Sequence, residues 1–480
     1  MTSIIIIGAG FGGLGAAIEL TKAGYPDVTI LERSDGVGGV WRDNTYPGAA
    51  CDIPSALYSW SFAPNKRWGR RYSPQPEILS YIERTAQQFG VRGKVRTSVE
   101  VQRCEWVDGQ WQVHTSAGVF TADIVIPAVG QLSHPVIPTI EGADSFAGPS
   151  WHSARWQHDV PLSGRKVAVI GTGASAIQFV PAIQPEAGQI SVFQRHAAYV
   201  LPKPDGAHGR LHRALIDAIA PFSSVERGTI FSITEAVNHA LIANSVGVAA
   251  LKKIVETTLR LQVKDPALRA KLTPDYPFGC KRVLFANNWY STMAKPNISL
   301  ITEGIERIEP SGVRTSDGVL HEADVLIWGT GFAATSFLAG IEVRAGDLTL
   351  AEAWKDGAAA HLGINVPGFP NFFIIYGPYT NLGGSSIIEM LEAQTRYIVG
   401  AVRRVAHAGP ITVRRQVSDA WDEEMQTRLR DSVWSRCDNW YREANGKITT
   451  NWPGQVREFQ QRTASFNAAD FEPVGPAPLS

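Results

Sequence analysis

The chain has few cysteines, no excess of either charge and no long uncharged apolar run. Each absence excludes something. Its four cysteines, Cys51, Cys104, Cys280 and Cys437, stand far apart and form no CxxC pair, so neither a zinc ribbon nor a dithiol redox centre is expected. No metal centre is expected, and a reducing cytoplasm is the default location. Acidic and basic residues balance at 45 each, which argues against a dedicated nucleic-acid surface. The most apolar stretch, Ala236 to Leu251, contains Asn238, His239, Asn244 and Ser245 and ends at Lys252-Lys253. It is too short and too polar for a bilayer and reads as a buried helix. "MTSIIIIGAG" has no charged leader region, so no signal peptide is expected.

Glycine, by contrast, is plentiful, at 45 residues, and it falls in patterns. Ile4-Ile5-Ile6-Ile7 is a continuous apolar run, as expected of a parallel strand buried on both faces. Gly8-Ala9-Gly10-Phe11-Gly12-Gly13 then turns into a helical pattern, and Val28 to Glu32 reads as a second strand. A similar unit recurs at Val167 to Ile170, Gly171-Thr172-Gly173-Ala174-Ser175-Ala176, and Ile190 to Phe193. "TADIVIPAVGQ" and "EADVLIWGTGF" are buried strands ending in glycine. Between about residues 205 and 275, Leu211, Leu215, Ile216 and Ile219 show helical spacing, the mark of a helical insertion. The Pro-rich tail "FEPVGPAPLS" reads as disordered. At 480 residues two or three domains are expected. The pattern predicts an α/β fold with two Rossmann-like dinucleotide-binding domains and a helical insertion in the second.

In the first unit Gly8, Gly10 and Gly13 fill the three positions of GxGxxG. One makes the tight turn, one admits a pyrophosphate to the backbone, and one lets helix and strand pack closely. Glu32 ends the second strand, where an acid binds ribose hydroxyls and repels a ribose phosphate, so the ligand is FAD or NAD rather than NADP. The following stretch, Gly38 to Phe62, carries Gly39, Trp41, Tyr46-Pro47-Gly48, Asp52 and Tyr58. Aromatics with one isolated acid suit a loop lying along a flat flavin ring, which favours FAD; a surface loop with core aromatics is the alternative.

In the second unit Gly171, Gly173 and Ala176 give GxGxxA, and Arg195 rather than an acid follows the second strand. A guanidinium there suits a ribose 2′-phosphate and points to NADP, the alternative being an arginine solvated on the surface. Lys281 is a second phosphate contact. A flavin site and an NADPH site together describe a reduction machine.

"FAGPSWHSARW" matches FxGxxxHxxxW, with Phe146, Gly148, His152 and Trp156 in register, and "GVWRDNTYPGAACD" matches GxWxxxxYPGxxxD. On these motifs, with "WGTGF" and "GFPNFFIIYGP", the chain resembles the flavin-dependent Baeyer–Villiger monooxygenases over nearly its whole length. "NWYREANGKITTNWPG" resembles the C-terminal segment of the aryl-ketone-oxidising, 4-hydroxyacetophenone monooxygenase-like branch. Gln157 stands where the fingerprint usually has Pro or Asp, "PAVG" replaces the usual Ala-Thr-Gly ending, and the long N-terminal extension of some aryl-ketone enzymes is absent.

The resemblance implies that NADPH reduces FAD and that the reduced flavin captures dioxygen as a C4a-peroxyflavin. That species attacks a ketone carbonyl to give an ester or lactone. The partners are then an apolar ketone, an aryl ketone in the branch named, and molecular oxygen. Arg282 corresponds to the catalytic arginine and Asp52 to the acid that pairs with it. Phe11, Gly39, Trp41 and Tyr58 belong with the flavin, and Ser175, Gln178, Arg195, Lys281 and Trp440 with NADP. His152 and Trp156 couple domain movement, and Gln131, Asn381 and Trp289 are candidates for the substrate pocket. The division expected is 1–140 and 329–480 for FAD, 141–204 and 276–328 for NADP, and 205–275 for the insertion. A heteroatom (N- or S-) oxygenating flavin-containing monooxygenase shares both nucleotide sites but would not need Arg282. A pyridine-nucleotide disulfide reductase would need a cysteine pair, which the cysteine spacing does not offer.

Overall fold

The computed structural model describes residues 2–219, 221–243, 246–338 and 340–475. Two parallel sheets organise it. In the first, the strand Ile4–Ile7 is buried at every position and lies between Val28–Leu31 and Ile124–Pro127, with Val95–Arg96 at one edge. The helix Phe11–Lys22 packs on this sheet and against the long helix Ile387–Ala408. Ile388, Leu391, Thr395, Ile398 and Val402 fall at helical spacing on the buried side of that second helix. Residues from both ends of the chain therefore share one core.

The second sheet runs Ile298–Ile301, Gln189–Phe193, Lys166–Ile170, Val325–Trp328, Ser150–His152, all parallel. Its edge strand, Ser150–His152, belongs to the histidine-tryptophan motif. Both glycine loops leave the carboxyl ends of their first strands, the place where open α/β sheets bind ligands.

Several elements were not legible in the sequence. A mixed sheet joins Leu348–Thr349, Glu342–Ala345, Val101–Val107, Gln110–Thr115 and Gly118–Ala122. The insertion is helical, at Arg210–Ala218, Phe222–Ala243, Val246–Gln262 and Pro266–Lys271. The expected apolar face of its first helix needs correction: Ile216 is buried, whereas Leu211 and Ile219 are exposed. The next helix docks through buried Ile230 and Leu241 and through polar groups. Arg227 pairs with Glu389 at 2.5 Å, and Glu235 accepts from the backbone N–H groups of Val456 and Arg457 at 3.0 and 3.2 Å. The apolar stretch 236–251 crosses two helices, with residues 244 and 245 outside the described residues. No helix among the described residues is long and apolar enough to cross a membrane.

Two further expectations are overturned. The tail is not wholly irregular, because Phe471–Pro473 pairs antiparallel with Ile411–Val413, anchored by the buried Phe471; residues 476–480 lie outside the described residues. The chain also has a cysteine pair. Cys280 and Cys437 are joined by a disulfide across a sequence separation of 157, while Cys51 and Cys104 are free and buried. A local CxxC criterion cannot see a pair that the fold assembles from two distant segments.

Candidate functional site

At the first glycine loop, a Cβ on Gly13 would lie 1.9 Å from the Gly8 carbonyl oxygen, so helix and strand meet with no room for a side chain. Gly10 faces Gly39, where an added Cβ would come within 3.1 Å of the Gly10 Cα. Bare backbone thus meets bare backbone at the mouth of the loop, a cradle that side chains would fill. Glu32 is buried and fixed, its two oxygens accepting from Ala9 N at 2.7 Å and Ser34 N at 2.8 Å. An ionised carboxylate has about four acceptor positions, so room remains for ribose hydroxyls. Phe11 packs edge-on to Tyr58 at 5.4 Å, and Trp41 Nε1 donates to the Tyr58 hydroxyl at 3.1 Å. The arrangement fits FAD.

The second loop, with Gly171 and Gly173, leads into the helix Ala176–Ile183, which Ser175 precedes without a side-chain capping bond and which packs Ala176 into the core. An added Cβ on Gly173 would touch only the Gly329 carbonyl oxygen, at 3.9 Å. Arg195 is exposed at the end of the neighbouring strand, and Lys281 is half-buried beside it. Burial and the Arg195 charge together hold the Lys281 ammonium below its usual value. His196 is lowered by burial and then by Lys281 and Arg195. Two cations that repel each other, Arg195 and Lys281, beside a glycine loop fit a phosphate, which would relieve the repulsion. Gln178, expected at the nucleotide, has its amide engaged elsewhere: it accepts from the Tyr46 hydroxyl at 3.0 Å and donates to Ala50 O at 3.0 Å. It stitches the loop that follows the first glycine motif to the second.

The Asp52–Arg282 pair joins the loop that follows the first glycine motif to the segment Phe278–Arg282. Arg282 Nη2 donates to Asp52 Oδ2 at 2.6 Å, with the side chains 30% and 24% exposed, so the pair is half-buried but reachable. Burial pushes the Asp52 carboxyl up, but the charge and hydrogen bond of Arg282, with help from Lys203, bring it below its usual range. The Asp52 charge in turn raises Arg282 further. Burial keeps the phenols of Tyr376 and Tyr441 protonated, the latter pushed up to about 12. The site therefore holds a fixed guanidinium with its counter-ion, a second cation in Lys203, and neutral donors.

Sequence reasoning missed Lys203, which is 10% exposed, donates to Cys51 O at 3.4 Å and lies over the Tyr72 ring at 5.0 Å. It also missed Tyr376, whose hydroxyl donates to Asn381 Oδ1 at 2.9 Å. Tyr376 lies within the segment GFPNFFIIYGP, whereas no local motif marks Lys203. Gln131 and Asn381 do come together around Tyr376: Gln131 Nε2 donates to Tyr376 O at 3.0 Å, leaving a buried Oε1 without a partner. Trp289 does not join them, because it is 2% exposed within the core of the second sheet. Trp440 is 38% exposed and rests on the Tyr441 ring at 4.1 Å.

His152 and Trp156 sit at the passage between the two sheets. His152 is buried, accepts from Ala154 N at 3.1 Å through Nδ1, and meets the edge of Phe332 at 5.5 Å. Trp156 packs against Trp151 and Phe179. One strand leading out of the first domain and the segment returning to it, Trp328 to Phe332, thus touch at this histidine.

Residues 5–199 match the family model described as pyridine nucleotide-disulphide oxidoreductase. Over 99% of its length the chain is 43% identical to a Baeyer–Villiger monooxygenase of Streptomyces coelicolor, covering 93% of that protein. A closed crystal structure of cyclohexanone monooxygenase superposes with a TM-score of 0.88 at 26% identity, covering 99% of both chains. A crystal structure described as the OTEMO complex with FAD and NADP superposes with a TM-score of 0.87 at 28% identity, covering 98% of this chain and 99% of that one.

Proposed function

The chain belongs to the Baeyer–Villiger monooxygenases, and from that premise we propose how its own residues divide the work. The enzyme is an NADPH- and oxygen-dependent flavin monooxygenase that inserts one oxygen atom beside a ketone carbonyl, giving an ester or lactone. Bound FAD supplies the oxygen-reactive centre and NADPH the hydride that reduces it.

The observation that carries the proposal is the half-buried cation Arg282, held by Asp52 at 2.6 Å. Oxygen insertion builds negative charge on oxygen, first on the attacking atom and then on the former carbonyl. A guanidinium cannot deprotonate at working pH, so Arg282 remains cationic throughout. Held in place beforehand, it stabilises that charge without reorganising as the reaction proceeds. Asp52 keeps it aimed, and Lys203 helps to keep Asp52 ionised. Tyr376 and Tyr441 stay neutral and can donate but not repel. Glu32 holds the adenosine ribose of FAD. Arg195 and Lys281 hold the 2′-phosphate of NADPH, and Ser175 offers the helix end to the pyrophosphate. His152 and Trp156 transmit movement between the two nucleotide domains, and Trp440 covers the nicotinamide side.

The substrate is an apolar ketone, and the phenolic ring of Tyr441 beside Arg282 favours an aryl ketone. Turnover of a panel of acetophenones, cyclic ketones and thioethers under ¹⁸O-labelled dioxygen tests this reading. The expected result is an ester carrying one labelled oxygen, formed faster from acetophenones than from the other substrates. Sulfoxide formation without any ester would contradict it.

A further inference from the structure

The Cys280–Cys437 disulfide stands where the proposed site would be most sensitive to it. Five consecutive residues, Phe278 to Arg282, each bind a different part of the molecule. Phe278 packs on Tyr199 at 4.8 Å in the core of the second sheet. Gly279 leaves room for Leu241 of the insertion, whose side chain an added Cβ would meet at 3.3 Å. Cys280 is bonded to Cys437, Lys281 stands beside Arg195, and Arg282 pairs with Asp52. On the other side, Cys437 is followed by the segment carrying Trp440 and Tyr441, and Tyr441 is buried close enough to feel the Arg282 charge. The bond therefore ties the turn that bears the cation to the segment that closes the site.

The pair is also arranged to re-form. Asn439 Nδ2 donates to the carbonyls of Cys280, Trp434 and Cys437 at 3.1, 2.8 and 3.2 Å. These bonds join the two backbones independently of the sulfurs, so the thiols of the reduced form stay within reach of each other. Cys280 is fully buried, whereas Cys437 is partly exposed, which gives an oxidant access to one sulfur and leaves the other to resolve it.

We propose that Cys280 and Cys437 form a reversible thiol–disulfide site whose oxidised state clamps the C-terminal segment over Arg282 and so limits wasteful oxidation of NADPH. The oxidant is hydrogen peroxide. Its O–O bond breaks as the Cys437 thiolate takes one oxygen to become a sulfenic acid, and the other oxygen leaves as water. The Cys280 sulfur then attacks Cys437, forming S–S, breaking S–O and releasing a second water. Two thiols lose two electrons in all, and a dithiol reductant returns them with two protons. This inference rests on the proposed role of Arg282, but its first test does not.

The test treats the holoenzyme with hydrogen peroxide or with dithiothreitol, removes the reagent, and alkylates the denatured chain with a maleimide. After peroxide only Cys51 and Cys104 should be labelled, and after dithiothreitol all four cysteines. Full labelling after peroxide overturns the proposal. The second readout is NADPH oxidation without any ketone, in the presence of catalase. The reduced enzyme should run at least about threefold faster than the oxidised one, and Cys437→Ser should match the reduced rate and ignore dithiothreitol. Equal rates in the oxidised and reduced wild-type enzyme, which require no variant to fold, would overturn the clamp.

Discussion

At the scale of single residues, the account turns on charges placed where the ligands lack a counter-charge. Lys281 is held below its usual proton affinity first by burial and then by the neighbouring Arg195 charge. An ionised hydrogen bond of the kind proposed there contributes about 1.5–3 kcal/mol. Arg195→Ala should therefore raise KM for NADPH on the order of tenfold to a hundredfold while leaving kcat and the KM for NADH nearly unchanged. Steady-state kinetics with both nucleotides checks this, and an equal loss for NADH would point to general damage instead. Arg195 was legible because a single residue type after the second strand distinguishes a ribose from its phosphate. Lys203 was not, because its position beside Cys51 depends on a meeting of segments about 150 residues apart.

At the scale of elements, the glycine loops were legible and the long-range pairings were not. GxGxxG and GxGxxA announce themselves because the local backbone tolerates nothing larger, as the 1.9 Å approach at Gly13 makes plain. Nothing local announces that Glu342–Ala345 will lie parallel to Val101–Val107, that Phe471 will pair a tail strand, or that Cys280 will find Cys437. The insertion misled for a related reason: helical spacing was present, but its second helix docks through Arg227 and Glu235 as well as through Ile230 and Leu241. Another long-range contact sets an acid limit on the fold. His361 is packed against Trp421 with neither ring nitrogen hydrogen-bonded, and burial pushes its pKa down to about 4, with Asp470 at 3.8 Å pulling the other way. The folded state thus excludes the charged form that the unfolded chain accepts. Stability from this residue is complete above the unfolded value of about 6.5 and is lost as pH falls towards 4, a cost of about 3 kcal/mol. Urea unfolding of His361→Gln should accordingly show a shallower loss of stability over that interval than the wild type. Parallel curves would remove His361 from the explanation.

At the scale of the whole molecule, two dinucleotide domains share one chain that passes between them twice, at His152 and at Phe332, with the Phe278–Arg282 turn reaching back from the second domain to Asp52 in the first. The fold class and both cofactors could be read from the glycine loops and the motifs between them, and the family from those motifs together. The resemblance implied that Arg282 pairs with Asp52, 230 positions away, and the two do meet at 2.6 Å; what the order of residues could not convey is that Tyr376 and Tyr441 gather around that pair. That encounter is the central claim, and Arg282→Met tests it most directly. The measurement is ester formed and NADPH oxidised, on the same sample, with an acetophenone and air. The account predicts intact flavin and NADP binding, continued NADPH oxidation with release of hydrogen peroxide, and ester formation reduced by at least about a hundredfold, the loss typical of one preorganised charge donor. Ester formed at close to the wild-type rate would contradict it.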